Sequence, residues 1–216
     1  LIGDTSYQQW SALRLQDRLQ KAQEQFVSDT RCLRDTQTFS IISGTKTYAL
    51  AEDTLDVVRV GVSGKSTLKS ISKFDLDMMV GGDWTTSLGT PKNYYVDTSS
   101  TNKNLTIYPI PQSGDAGMNN LIVDYVKIPP VMSSDSSLPL NGQTLLNPYL
   151  DAIAFYAASQ ILFASNNTVD WQKAGVMNKQ YDRKVTECVE LFNNLSETKP
   201  LRLRVSGISR VVNRAG

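Results

Sequence analysis

The 216-residue chain contains no histidine. That removes the commonest general base, the commonest metal ligand and every Ser–His or Cys–His nucleophile pair. It has two cysteines, Cys32 and Cys188, far apart in the sequence. So few give no disulfide framework, suit a reducing compartment, and read as small buried apolar residues. The first residues carry no charged-then-apolar leader pattern. Charged residues make up 20% and hydrophobic residues 40%, a composition that can build a core at this length.

Without histidine, catalysis would have to rest on carboxylates. The closest acidic pairs are Glu52-Asp53, in a loop after Tyr48-Ala49-Leu50, and Asp75/Asp77, at the start of a short helix. Both read as solvated surface acids. A glycan hydrolase would need an aromatic-lined cleft around two carboxylates. Trp84 beside Asp83 is the one hint of it, and Gly81-Gly82-Asp83-Trp84 reads as a packed turn.

The stretch "VRVGVSGKSTLKSI", residues 58–71, ends like a phosphate-binding loop at Gly64-Lys65-Ser66. The full pattern G-x-x-x-x-G-K-S/T would need glycine at 59, where Arg59 stands. Val58, Val60 and Val62 alternate with Arg59 and Gly61, which is strand periodicity running into the turn pair Ser63-Gly64. The stretch therefore reads as a β-hairpin of residues 56–62 and 66–71, with Lys65 facing water at its tip.

The organisation is helix, strands, helix, helix, arm. Ser6-x-x-Gln9 can form a capping box, and Ala12, Leu15, Leu19, Ala22 and Phe26 then form one stripe, predicting a helix over 6–28. Strands follow at 38–42, 47–50, 93–97, 104–108 and 120–128, with a helical turn over 74–80 ended by Gly81-Gly82. Pro129-Pro130 closes this part. Asn147 as N-cap and Pro148 at the first position start a helix to about 164. It is long enough for a membrane span, but Asp151, Ser159, Gln160 and Asn147-Pro148 oppose one, so it reads as a buried central helix. The last helix, 169–195, carries Ala174, Met177, Tyr181, Val185, Cys188 and Phe192 at helical spacing.

Each terminal helix has a stripe to bury, so the helices are expected to pack together. The predicted fold class is α+β: a helical bundle (N-terminal helix plus two C-terminal helices) with an inserted antiparallel β-domain and an extended C-terminal arm. The expected divisions are 1–36 (helical), 37–130 (β-rich), 131–198 (helices completing the bundle) and 199–216 (arm).

The arm, "KPLRLRVSGISRVVNRAG", holds five basic residues and no acid. That leaves 17 basic against 21 acidic residues elsewhere, a formal −4. Pro200 stops the preceding helix. Leu201, Leu203 and Val205 alternate with Arg202 and Arg204, and Ile208, Arg210 and Arg214 follow. A lone strand is not stable in water, so these residues are read as partner-binding, with apolar anchors for a groove and arginines for carboxylates.

Several phrases occur in a set order: Tyr48, Leu50 and Asp53; Gly89-Thr90-Pro91; Leu105 to Pro111 ("LTIYPIP"); "LIVDYVKIPP"; then Phe155-Tyr156 on a helix. In order and spacing they resemble the head-to-tail adaptor (connector) proteins of tailed bacteriophages, over about residues 1–198. The resemblance implies a structural virion protein with no enzymatic activity and no cofactor. It implies a homo-oligomeric ring, typically twelve-fold, in the neck between capsid portal and tail, made in the bacterial cytoplasm. Its partners would be the portal protein, tail or nozzle proteins, and double-stranded DNA passing without sequence specificity during genome ejection, with no membrane. The alternatives are another neck or tail-tube component, or the tail-associated glycan hydrolase weighed above.

Overall fold

The computed structural model describes residues 11–65, 67–98, 103–133, 137–165 and 167–196. The Ser6–Gln9 capping box and the arm, including Leu201, Arg202, Leu203, Arg204, Val205, Ile208, Arg210 and Arg214, lie outside them. The architecture is α+β.

Helix α1 spans Ala12–Thr30, with Ser11 as its N-cap accepting from the Arg14 amide. It runs two residues past the expected end because the Thr30 hydroxyl donates back to the Phe26 carbonyl (2.6 Å), before Arg31 turns left-handed at φ 52°. The expected stripe is buried only in its second half. Ala22 and Phe26 are fully covered, whereas Ala12 and Leu19 are exposed. Gln23 and Val27 join the buried face instead.

Among the described residues, seven strands form two sheets. One has the order β1 (Arg34–Ile41), β7 (Gly117–Lys127), β3 (Thr54–Val62), all antiparallel. The other has the order β2 (Thr47–Ala49), β6 (Asn104–Tyr108), β5 (Asn93–Asp97), β4 (Lys69–Ser70). Its β4–β5 pairing is parallel, a departure from the wholly antiparallel expectation. The inward residues of both sheets share one core, including Ile41, Tyr48, Val60, Leu105, Ile107, Leu121 and Val123.

The expected hairpin over 56–71 forms only at its tip. Gly61 bridges Thr67 and the Leu68 amide reaches the Val60 carbonyl, after which β4 joins the other sheet. Val58 does not share a buried face with Val60 and Val62. A bulge between Val57 and Arg59 turns it outward, because the extra residue shifts the alternation.

Helix α2 (Lys73–Val80) has Ser72 as N-cap and ends at Gly81, φ 75°. Its Leu76 is fully buried, and the 3-10 turn Gly82–Thr85 that follows carries Trp84. The Trp84 ring packs edge-on against Tyr95 and Tyr108, and its indole N–H donates to Asp77.

Asn147 is not an N-cap. Residues Thr144–Tyr149 form a 3-10 helix with Pro148 inside it, and α3 begins at Leu150. The 3-10 turn lets Leu146 reach the core, where it is fully buried. Helix α3 runs Leu150–Phe163 and α4 Thr168–Ser196. Among the described residues no helix is long and apolar enough to cross a membrane.

A second core joins α1, α3 and α4 with the base of the first sheet: Phe26, Val27, Leu33, Val126, Leu140, Ile153 and Tyr181 among others. The Tyr181 hydroxyl donates to Asp29 (2.6 Å), linking α4 to α1; burial first, then that bond, pushes its pKa up. Cys32 and Cys188 sit in this core as free thiols that hydrogen-bond each other. The bond to Cys32, then burial, raises the Cys188 thiol, while the same bond lowers the Cys32 thiol against the opposing effect of burial.

Gln23 is 0% exposed and clamps the segment returning from the strands. Its Nε2 donates to the Pro130 carbonyl (2.9 Å), and its Oε1 accepts from the Leu140 amide (2.8 Å). Gln23→Ala should therefore cost roughly 2–4 kcal/mol, because it orphans one or two buried backbone groups. Denaturant unfolding measures this. A loss no larger than that of an exposed control such as Gln25→Ala would contradict the clamp.

Candidate partner interface

The structural phrases in the sequence meet at the two ends of the strand region. At the base, Lys127 Nζ lies 3.1 Å from Asp53 and 3.6 Å from Asp35, tying β7 to the loop before β3 and to β1. At the tip, Gly89 donates its amide to Ile110 and packs on Pro109, whose Cβ would stand 3.3 Å from any Cβ placed there. The G-T-P bend needs its glycine for that close approach.

Asp115 organises the tip. Its carboxylate is 6% exposed and accepts from Lys65 Nζ, from Thr90 Oγ1 (3.1 Å) and from the Gln112 amide (3.4 Å). Lys65 therefore does not simply face water. Its side chain is 40% exposed, but its ammonium neutralises a buried acid. The Lys65 hydrogen bond holds the Asp115 carboxyl below its ordinary 3.8, against the opposing effect of burial, with Gln112 and Thr90 adding to it.

Three of the acids raised as catalytic candidates have structural partners. Asp53 pairs with Lys127, Asp75 takes the Ser72 hydroxyl bond at the start of α2, and Asp77 accepts from Trp84. Trp84 is buried in its turn, with its indole N–H held by Asp77. Among the described residues no group of three His, Cys, Asp or Glu side chains could hold a metal ion.

What the surface offers is apolar area. Helix α2 leaves Phe74 (70%), Met78 (73%) and Met79 (70%) exposed, beside the carboxylates of Asp75 and Asp77. Exposed apolar groups clustered on one short helix mark contact with a partner, and methionine adapts to irregular surfaces. Sequence reasoning missed this face, although Phe74 and Met78 lie four residues apart and so share one side of the helix. A groove opens beside it, about 560 Å³ in volume, between β3, the β4 edge and the start of α2. The Val57 and Val96 side chains form part of its lining and are half-buried against the sandwich core.

The depressed Asp115 pKa fixes the sign of a pH effect. Its stabilisation is fully present above the ordinary 3.8 and is lost as pH falls below that value. Lys65→Ala should cost roughly 1–2 kcal/mol at pH 7, a modest figure because the lysine is half solvated. The gap between wild type and variant should close as pH drops toward 3. Urea unfolding at several pH values reads this, and a gap independent of pH would contradict the pairing.

A search of curated proteins finds no match. A family model described as SU10 adaptor protein matches residues 1–202, the entire described region included. By that match the chain belongs to the SU10 adaptor protein family, a family of phage head-to-tail adaptors.

Proposed function

We propose that the protein forms a closed ring, typically twelve-fold, in the virion neck, where it joins the portal to the tail or nozzle and lines the passage for DNA without reading its sequence. In this reading it is not an enzyme and takes no cofactor. Helices α1, α3 and α4 are the bundle, residues 37–130 are a β-rich domain inserted into it, and residues 199–216 are an arm that docks on a partner chain. The family match over residues 1–202 is the observation that carries the proposal.

Physical features support it. Phe74, Met78 and Met79 form an exposed apolar face of the kind a head-to-tail contact buries. The α1–α3–α4 core and the two-sheet core make a stiff body suited to a static assembly. With Lys65 engaged by Asp115, this cation is a structural pin and contributes little to DNA contact. The arm's arginines suit carboxylates on a protein surface better than loose phosphate binding, because they alternate with apolar residues.

Truncation after Lys199 tests the arm's part in assembly. The shortened chain should keep its circular dichroism and melting temperature, yet fail to sediment with purified portal. Normal co-sedimentation by the shortened chain would remove the arm from the interface.

A further inference from the structure

The groove beside α2 has a shape and a charge pattern that match one segment of this same sequence. Strand β3 ends the first sheet and β4 ends the second, so two sheet edges flank the opening. On β4, the amides of Lys69 and Ile71 bond to Lys92 and Tyr94 on the β5 side. Ser70 between them turns its amide and carbonyl toward the open edge, as strand alternation requires. Val57, Ile71 and Val96 supply an apolar lining. Asp56, Asp75 and Asp97 supply carboxylates, against Lys73 in the lining and Arg31, which pairs with Asp56.

We propose that this groove receives residues 201–205 of the neighbouring copy in the ring, adding them as a strand along the β4 edge. Leu201, Leu203 and Val205 fall on one side of an extended strand and Arg202 and Arg204 on the other. The apolar set faces Val57, Ile71 and Val96, and the arginines reach the carboxylates at the rim. The formal charges oppose each other: five basic residues and no acid in 199–216, and an acidic surplus in the groove. Asp56 already binds Arg31 at 2.8 Å, and Asp97 lies 3.7 Å from Lys73, so the rim accepts cations at two points.

The five residues from Ser196 to Leu201 span up to about 17 Å when extended, which lets the arm leave its own α4 for a neighbour. The inference deepens the proposed function, because it rests on reading residues 199–216 as a docking arm and names the surface that the arm uses.

The test is intersubunit cross-linking in the full chain assembled on purified portal. Ser70→Cys is combined with Leu203→Cys, and the control combines Leu203→Cys with Ser113→Cys, an exposed site in the loop before β7. Cys32 and Cys188 are buried and do not compete. Under mild oxidation the 70–203 disulfide should form at least about tenfold faster than the 113–203 control, because docking raises the effective concentration. Arg202→Glu with Arg204→Glu should abolish that advantage, and hydrogen exchange at residues 69–71 should rise in the same variant. Equal rates at both sites, or a rate unaffected by the charge reversal, would overturn the groove assignment. Portal co-sedimentation of the same full-length chains is scored separately. Normal assembly without the 70–203 cross-link would overturn the groove alone, whereas loss of assembly in every variant, control included, would count against the adaptor reading.

Discussion

Arg34 of β1 lies opposite Val126 of β7, and this antiparallel register brings the chain back to where it left α1. The Lys127 amide bonds to the Leu33 carbonyl and the Ile128 amide to the Asp53 carbonyl, closing the junction. Because entry and exit are zipped together, the helices on either side of the strands can share one core. Gln23 extends the closure by holding Pro130 and Leu140 against α1. Val126 belongs to the helical core while Leu121 and Val123 belong to the sandwich, so a single strand couples the two. A fault in this register would turn apolar residues outward on both sides.

Local patterns carried the elements whose stability is local. β5 and β6 fall on the expected residues because their alternation is clean and turns bound them. Helix α4 follows its stripe, and α2 stops at Gly81 because only glycine enters φ 75° without strain. The misreadings have long-range causes. Gln23 is not on the predicted stripe, yet it is buried, because its partners stand 107 and 117 residues away. Lys65 looked free because Asp115 is 50 residues on. Asn147-Pro148 has the chemistry of a helix start, yet packing of Leu146 imposes a 3-10 turn first. The departure of β4 into the second sheet is a pairing choice that periodicity does not encode.

The recognisable phrases of the family are places where separate segments lock. Asp53 meets Lys127, and Thr90 and Lys65 meet at Asp115. Gly89 makes room for Pro109. These contacts hold the base and the tip of the strand region. They suit a protein whose work is to keep its shape within an assembly, with apolar α2 and the groove beside it left for contact. The candidate site was only partly legible: residues 199–216 are read as a docking arm from their own alternation, a reading that lies outside the described residues, and the groove lined by β3, β4, β5 and α2 exists only once the fold brings them together.

Electron microscopy of the full chain mixed with the cognate portal tests the central claim most directly. The account predicts a single closed ring of this chain, coaxial with the portal and bound to one face of it. A stacked tube or open filament of the chain, or a portal that binds no copies of it, would contradict the account.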